Sequence, residues 1–208
     1  MGKYIVEFIG TFFLVVAIGL TGNPLAIGAT LMVMVYFGGH ISGAAYNPAV
    51  TIALMMRGKL NMNDTIIYII IQVIASTLAA VFCHYMYGRA FGGPHPDESI
   101  NILKPLACEI IFTFALASVV LAVATSPKTA GNSYYGLAIG FTVMAGAFAV
   151  GKISGGAFNP AVGTGPLLSD AIFSGGSLKF LWLYWVGPLV GGIAAAIAYK
   201  IINPEEAK

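Results

Sequence analysis

The chain has 208 residues, of which 58% are hydrophobic and only 9% are charged, whereas an ordinary soluble domain has about 25% charged residues. A soluble protein of this size could not bury so much apolar surface with so few charges, so the composition predicts an integral membrane protein. The net charge of +2 and the lack of a basic run in the sequence argue against a nucleic-acid partner.

Six apolar runs are long enough, or nearly so, to cross a hydrocarbon core of roughly 30 Å, which requires about 20 helical residues. In chain order they are residues 4–20, 25–38, 65–87, 103–125, 134–150 and 178–202. Membrane β-strands would instead be alternating segments of about 10 residues, so we predict an all-α membrane protein. The second run counts as a span only if residues 22–24 form a tight turn and its far end continues into the next segment.

The basic residues give a weak indication of orientation. With a cytoplasmic N-terminus, six of them lie on the cytoplasmic side and four on the other side. The six are Lys3, Arg57, Lys59, Lys128, Lys200 and Lys208, and the four are Arg89, Lys104, Lys152 and Lys179. Because short cytoplasmic loops are enriched in basic residues, we expect both termini in the cytoplasm.

A segment of twelve residues occurs twice in the chain. GHISGAAYNPAV at 39–50 and GKISGGAFNPAV at 151–162 are identical at nine of twelve positions, with an offset of 112. We therefore expect one transmembrane domain, 1–208, built from two repeats of three spans at about 1–100 and 101–208. Because three is an odd number, the second repeat enters the membrane from the opposite side, which makes the repeat inverted.

The Asn-Pro pairs inside the duplicated segments predict two helix starts. Asn47 and Asn159 suit the N-cap, and Pro48 and Pro160 suit the first helical position, where a missing N–H costs nothing. The small residues that precede each pair are not expected to be helical. Such backbone is tolerated at membrane depth only against protein or around a water-filled cavity.

The apolar stretches after the two asparagines are too short to cross the membrane. They run to about residue 57 and residue 169, so each helix is roughly 15 Å long at about 1.5 Å per residue, or half of the core. We expect two re-entrant half-helices that enter from opposite faces and meet by their N-termini at the midplane.

This meeting point predicts a pore for small neutral polar molecules. Each helix N-terminus carries about half a positive charge, and the amides of Asn47 and Asn159 can donate to the oxygen of a passing molecule. Cations, hydronium included, meet an electrostatic barrier there. A single-file water whose oxygen accepts from both amides can accept no hydrogen bond from its neighbours, which interrupts a proton wire.

These residues resemble the aquaporin, or major intrinsic protein, family. The resemblance covers essentially the whole chain, and includes the Glu-x-x-x-Thr starts of the first and fourth spans and LWLYWVGPLVGG at 181–192. The two Asn-Pro-Ala motifs are Asn47, Pro48, Ala49 and Asn159, Pro160, Ala161. The resemblance implies a homotetramer in the lipid bilayer, with one pore per subunit for water and small neutral solutes.

The resemblance also implies roles for individual residues. Asn47 and Asn159 are then the pore asparagines. Glu7 and Glu109 lie deep in spans, where a carboxylate by default suggests a function such as a proton relay, but the resemblance favours bracing of the two re-entrant loops. The implied ladder of backbone carbonyl acceptors consists of Gly43, Ala44, Ala45, Gly155, Gly156 and Ala157.

The outer selectivity filter implied by the resemblance departs from the commonest pattern. Its four positions, assigned by spacing from the asparagines, are Ile27, Ala147, Gly156 and Val162. Water-strict members usually have an aromatic residue, a histidine, a small residue and an arginine, and Val162 replaces that arginine, as in some plant tonoplast intrinsic proteins. A wider apolar filter with few donors discriminates less by size and hydrogen bonding. Water, ammonia, hydrogen peroxide, urea and glycerol are therefore the candidate solutes.

Three alternatives to a channel are less consistent with the sequence. A secondary transporter also uses inverted repeats with broken helices, but it would place titratable or ion-binding side chains at the midplane. A closed adhesive or junctional protein would have large apolar plugs, whereas Ala147 and Gly156 are small. The sequence shows no hydrolytic triad, metal cluster or phosphate loop, so we expect no enzyme activity and no cofactor.

Overall fold

The computed structural model describes residues 1–88 and 92–206, and within them it contains eight α-helices and no strand. Six helices are long and apolar enough to cross a membrane. They are α1 (Gly2–Thr21), α2 (Pro24–Ser42), α4 (Met62–Tyr87), α5 (Leu103–Thr125), α6 (Tyr135–Ser154) and α8 (Leu181–Ile202), and the shorter α3 and α7 are Pro48–Met56 and Pro160–Ser174. The predicted all-α architecture is confirmed. Two residues of the charge count, Arg89 and Lys208, lie outside the described residues.

The second apolar run meets both conditions for a span. Gly22 ends α1 in the left-handed conformation (φ +57°), and Asn23 caps α2 by accepting hydrogen bonds from the backbone N–H groups of Leu25 and Ala26 at 2.9 and 3.4 Å. At its far end α2 continues to Ser42, beyond the predicted residue 38. The two helices are therefore joined by a tight turn, which Gly22 permits because it lacks a Cβ.

Contacts between helix ends define the direction of each span. Lys3 at the start of α1 forms an ion pair with Asp64 at the start of α4 (2.6 Å), and Tyr87 at the end of α4 donates to the carbonyl of Leu20 at the end of α1 (2.7 Å). α1 and α4 therefore run in the same direction, and α2, which follows α1 through a tight turn, runs in the opposite direction. Both described chain ends lie on the face that carries Lys3 and Asp64, which we call the terminal face.

The helix pairs bring the two halves of the chain together at the centre. α1 packs on α4 and α5 packs on α8, while α2 and α6 pack on each other. α3 packs on α8 and α7 packs on α4, so each short helix contacts a long helix from the other half of the chain. On the outside of α4 the apolar side chains of Ile66, Ile70 and Ile74 are about half exposed, as expected for a helix that faces lipid.

The helix α7 is longer than predicted. The sequence predicts an end at about residue 169, but α7 has 15 residues and ends at Ser174. The helix α3 has nine residues and ends close to the predicted residue 57. A polar residue such as Ser169 does not end a helix by itself. Gly175 does so, in the left-handed conformation (φ +69°).

Candidate functional site

The two short helices meet through a reciprocal pair of hydrogen bonds. The side-chain nitrogen of Asn47 donates to the carbonyl of Phe158 at 2.8 Å, and that of Asn159 donates to the carbonyl of Tyr46 at 2.9 Å. Each asparagine is thus bound to the residue that precedes the other one. The N-termini of α3 and α7 are locked together at the centre of the bundle by these two bonds.

The same asparagines also cap their own helices. The side-chain oxygen of Asn47 accepts from the backbone N–H of Ala49 at 2.8 Å, and the oxygen of Asn159 accepts from that of Ala161 at 2.9 Å. Pro48 and Pro160 occupy the first helical positions. Each amide is therefore fixed in orientation by its oxygen and by one of its two N–H groups.

The buried carboxylate of Glu7 holds the first re-entrant loop. Its two oxygens accept from the backbone N–H groups of Ala45 (3.0 Å) and Tyr46 (2.8 Å), from the hydroxyl of Ser42 (2.7 Å) and from the side-chain amide of Gln72 (2.8 Å). Glu7 is fully shielded from solvent. One side chain of α1 thus connects the end of α2, the loop and α4.

Glu109 makes the matching set of contacts in the second half of the chain. It accepts from the backbone N–H groups of Ala157 (3.1 Å) and Phe158 (2.7 Å) and from the hydroxyl of Ser154 (2.8 Å). It too is fully shielded from solvent, but no side-chain amide corresponds to Gln72 among its partners. The arrangement is therefore nearly symmetric, with one more donor on the side of Glu7.

Both loops contain left-handed residues at matching positions. These are Gly43 (φ +85°), Ala44 (φ +50°) and Tyr46 (φ +50°) in the first loop, and Gly155 (φ +89°), Gly156 (φ +63°) and Phe158 (φ +48°) in the second. A non-glycine residue in this region costs about 1–3 kcal/mol unless its surroundings hold it. The carboxylates of Glu7 and Glu109 supply that support, because they accept hydrogen bonds from backbone N–H groups of these loops.

A cavity of about 750 Å³ opens on the face opposite the terminal face. All four predicted filter positions line it, and so do both asparagines. Five of the six predicted ladder residues also line it, namely Ala44, Ala45, Gly155, Gly156 and Ala157. The structure therefore brings the predicted filter and the helix junction into one continuous space, which we call the first cavity.

A second cavity, of about 600 Å³, opens on the terminal face. It is lined by the sixth ladder residue, Gly43, and by His40, Lys59 and part of the segment between α5 and α6. Ile139 of α6 lines both cavities. The two cavities thus enter the bundle from opposite faces and adjoin one another inside it.

The four filter positions carry no charged side chain and no side-chain donor. Ile27 and Val162 are buried, while Ala147 and Gly156 are partly exposed. The carbonyl of Ala161, next to Val162, accepts a hydrogen bond from the hydroxyl of Ser76 at 2.6 Å. The wall of the first cavity at this level is therefore apolar, and α7 is held in place from α4.

The end of α3 is anchored to the end of the described chain. Arg57 donates to the carboxylate of Glu206 at 2.9 Å and to its backbone carbonyl at 2.8 Å. Tyr199 and Ser126 also donate to that carboxylate, at 2.7 and 2.9 Å. The hydrogen bond from Tyr199, aided by that from Ser126 and by the charge of Arg57, holds the pKa of Glu206 below its ordinary value.

Several residues that support the site carry no signal in the sequence that by itself assigns them this role. Gln72 and Ser76 are polar residues in the otherwise apolar α4, and their bonds to Glu7 and to the carbonyl of Ala161 cross between helices. Ser42 and Ser154 occupy the same place in the duplicated segment. That repetition of a serine at the helix end was the available signal.

Comparison with known proteins gives consistent matches along the whole chain. The sequence profile of the family described as Major intrinsic protein matches residues 1–199. The chain is 36% identical over 218 residues to Aquaporin NIP1-1 of Zea mays, which covers 97% of this chain and 74% of that protein. It is 32% identical over 231 residues to Aquaporin Z of Rhodopseudomonas palustris, which covers 98% and 94% respectively.

A solved structure shows the same fold at lower identity. The X-ray structure of the aquaglyceroporin from Plasmodium falciparum superposes with a TM-score of 0.84, covering 98% of this chain and 97% of that chain at 22% sequence identity.

Proposed function

The chain belongs to the major intrinsic protein family, and from that premise we propose that it is a passive channel for water and small neutral solutes which excludes ions and protons. It is an integral membrane protein with several spans. The family consists of membrane channels and not of enzymes, in agreement with the sequence analysis. The passage runs from the first cavity past the junction of α3 and α7 into the second cavity.

The observation that carries this proposal is the reciprocal bonding of Asn47 and Asn159 at the wall of the first cavity. Each amide nitrogen has two N–H groups, and one of them is committed to a carbonyl of the other half. The second N–H of each amide is left for the oxygen of a solute. The N-termini of two helices add positive potential at the same point. The electrostatic energy of a cation or a proton is therefore raised there.

Glu7 and Glu109 brace the loops in this proposal and do not carry protons. Each carboxylate is surrounded by donors, two of which are backbone N–H groups with no freedom to turn away. A proton relay requires a carboxyl group that can exchange partners. The hydrogen bonds instead favour a fixed carboxylate that holds a strained loop in position.

The filter of the proposed channel consists of Ile27, Ala147, Gly156 and Val162. The lining of the first cavity at these positions is apolar and offers no side-chain donor. A filter of this kind selects weakly by hydrogen bonding. We therefore propose that urea and glycerol pass with water, ammonia and hydrogen peroxide.

The backbone carbonyls of the two re-entrant loops are the proposed acceptors along the path. The residues are Gly43, Ala44, Ala45, Gly155, Gly156 and Ala157, all of which line one of the two cavities. Carbonyl groups that face such a path accept hydrogen bonds from a desolvated solute. In this proposal the acceptors of the glycine- and alanine-rich loops are backbone carbonyl groups and not side chains.

The assembly and orientation belong to the same proposal. We propose a homotetramer with one pore per subunit, with both termini in the cytoplasm and inverted repeats at about 1–100 and 101–208. The half-exposed apolar residues on the outside of the bundle are available to lipid or to neighbouring subunits. The orientation is supported by the basic residues of the described chain, of which Lys3, Arg57, Lys59, Lys128 and Lys200 lie towards the terminal face and Lys104, Lys152 and Lys179 towards the other.

Stopped-flow light scattering on proteoliposomes tests the proposed function. Water, urea and glycerol permeability are measured in the same preparation and compared with those of protein-free liposomes. We expect fast water flux with measurable entry of both solutes. Flux that saturates with concentration and depends steeply on temperature would favour a transporter, and permeability no higher than that of bare liposomes would favour a closed member of the fold.

A further inference from the structure

The mouth of the first cavity contains an isolated positive charge. Among the described residues that line this cavity, Lys152 of α6 is the one charged side chain, and no aspartate or glutamate lines it. Lys152 is exposed. The described part of the chain offers it no ion-pair partner within 4.0 Å, since the four ion pairs there involve other lysines and an arginine.

The two carboxylates in the segment that bonds to the end of α6, Asp97 and Glu98, have other partners. The backbone of Asp97 bonds to the carbonyl of Ile153 at 2.9 Å, but its carboxylate accepts from the backbone N–H and the hydroxyl of Ser99 at 2.9 and 2.6 Å. Glu98 forms an ion pair with Lys179 at 3.0 Å. Neither carboxylate forms an ion pair with Lys152, and the negative charge of Asp97 stays in the segment that bonds to the end of α6.

The position of Lys152 relates it to the filter. It follows the filter residue Ala147 by five residues on the same helix, which corresponds to about 7.5 Å along the helix axis. This is comparable to a Debye length of about 8 Å at physiological ionic strength. A cation approaching the uncharged filter therefore comes within the field of this ammonium group before it reaches the junction of α3 and α7.

We propose that Lys152 is a specificity-determining residue which keeps small cations out of the wide apolar filter. This proposal rests on the proposed channel function. A filter that lets urea pass is also wide enough for a planar cation of the same size, such as guanidinium. Lys152 raises the energy of the cation at the mouth and leaves the neutral molecule unaffected, so the two are separated by charge before the central barrier acts.

A purely structural role for Lys152 predicts a different behaviour. The residue lies in the last turn of α6, where a basic side chain also interacts favourably with the helix C-terminus. Such a role would affect folding and stability. A structural role would affect the permeabilities to a cation and to a neutral molecule of equal size alike. Only an electrostatic role makes the cation permeability alone depend on salt.

The experiment compares guanidinium and urea entry at millimolar concentration into proteoliposomes, at low and at high ionic strength. We expect Lys152→Gln to raise the guanidinium-to-urea permeability ratio about fivefold at low salt, and the effect to shrink at high salt because the charge is screened. Lys152→Arg should keep the original ratio. In the unmodified protein, raising the ionic strength should itself raise the ratio, which tests the proposal even if the glutamine variant does not fold.

Lys179→Gln is the matched control, since Lys179 is exposed, paired with Glu98 and outside the cavity lining. A ratio unchanged in Lys152→Gln, or changed equally in Lys179→Gln, would overturn the proposal. A channel that passes water but not urea would also overturn it, because the wide filter would then be absent. Absence of water flux in the unmodified protein would instead contradict the proposed function itself.

Discussion

Gly28 of α2 and Gly140 of α6 lie directly against each other, backbone to backbone. A Cβ placed on Gly28 would come within 2.7 Å of the carbonyl oxygen of Gly140, and a Cβ on Gly140 would collide with the carbonyl oxygen of Gly28. The two helices therefore cross as closely as their main chains permit. Ile27 and Ala147 are carried by the same two helices, so this crossing helps to position two of the four residues of the proposed filter.

Gly140→Ala should separate α2 from α6. The added methyl group meets backbone, and also the Cβ of Met32 at 2.8 Å, so we expect a loss of about 1–3 kcal/mol in stability from overpacking. Thermal unfolding in detergent measures it. Gly151→Ala on the same helix is the control, since nothing lies within 4 Å of its Cβ. Equal stability of the two variants would contradict the close crossing.

Val162→Arg should narrow the proposed filter and add donors to it. We expect the urea and glycerol permeabilities to fall at least about tenfold, and the water permeability to fall less, because water is the smallest of the three solutes. Proteoliposome flux measurements decide this. Val162→Ile adds bulk without charge and serves as the control. An equal loss for all three solutes, in protein that remains folded, would count against the filter assignment.

Asn159→Asp should weaken the central barrier to cations. The variant keeps an oxygen that can cap α7, but it loses the donor to the carbonyl of Tyr46 and adds a negative charge beside the path. A faster proton leak at similar water permeability is the expected result, measured with a pH-sensitive dye inside the liposomes. Asn159→Gln controls for the lost geometry without the charge. A proton leak as slow as in the unmodified protein would argue against exclusion at this position.

Glu7→Gln and Glu109→Gln distinguish bracing from proton relay. In each variant an amide N–H₂ group must face at least one backbone N–H of the loop, which leaves that donor unpaired at a cost of about 1–3 kcal/mol. We therefore expect a lower unfolding temperature and lower permeability to every solute. If stability and water flux were unchanged and only proton movement were altered, the carboxylates would have to be regarded as a relay.

Glu206→Gln should loosen the contact between the chain end and α3. Because the pKa of Glu206 in the folded protein lies below its ordinary value of 4.5, its stabilising effect is present at neutral pH and is lost as the pH falls through the lowered pKa. The variant should therefore unfold at a lower temperature at pH 7, and the difference should shrink in acid. Glu205→Gln is the control, because the ion pair of Glu205 with Lys128 is exposed, and an exposed pair contributes little to stability. A difference that persists unchanged in acid would refute the electrostatic explanation.

Much of the fold could be predicted from the sequence because hydropathy and the duplicated segment determine it directly. The offset of 112 already places Asn47 and Asn159 at equivalent positions in the two halves. The sequence does not predict that the amide of Asn47 binds the carbonyl of Phe158, or that the amide of Asn159 binds the carbonyl of Tyr46. That contact depends on the distance between the two loops, which no one-dimensional pattern records.

The supporting residues were harder to predict for a similar reason. In an apolar span such as α4 a single glutamine has no periodic signal, so the bond from Gln72 to Glu7 emerges only when α1 and α4 are packed together. The predicted end of α7 was wrong because the helix continues past Ser169 to the left-handed Gly175, which terminates it. The contact of Arg57 with Glu206 joins residues 149 positions apart, beyond any local rule.

The crossed asparagines have a consequence for how the chain assembles during synthesis. The amide of Asn47 finds its acceptor on Phe158, more than a hundred residues later, and an unpaired polar group in hydrocarbon costs several kcal/mol. The first three spans can therefore enter the bilayer, but their re-entrant loop stays incomplete until the second half has been translated. We therefore expect the junction of α3 and α7 to form only when both halves are present, and neither half alone to hold its loop in the native conformation.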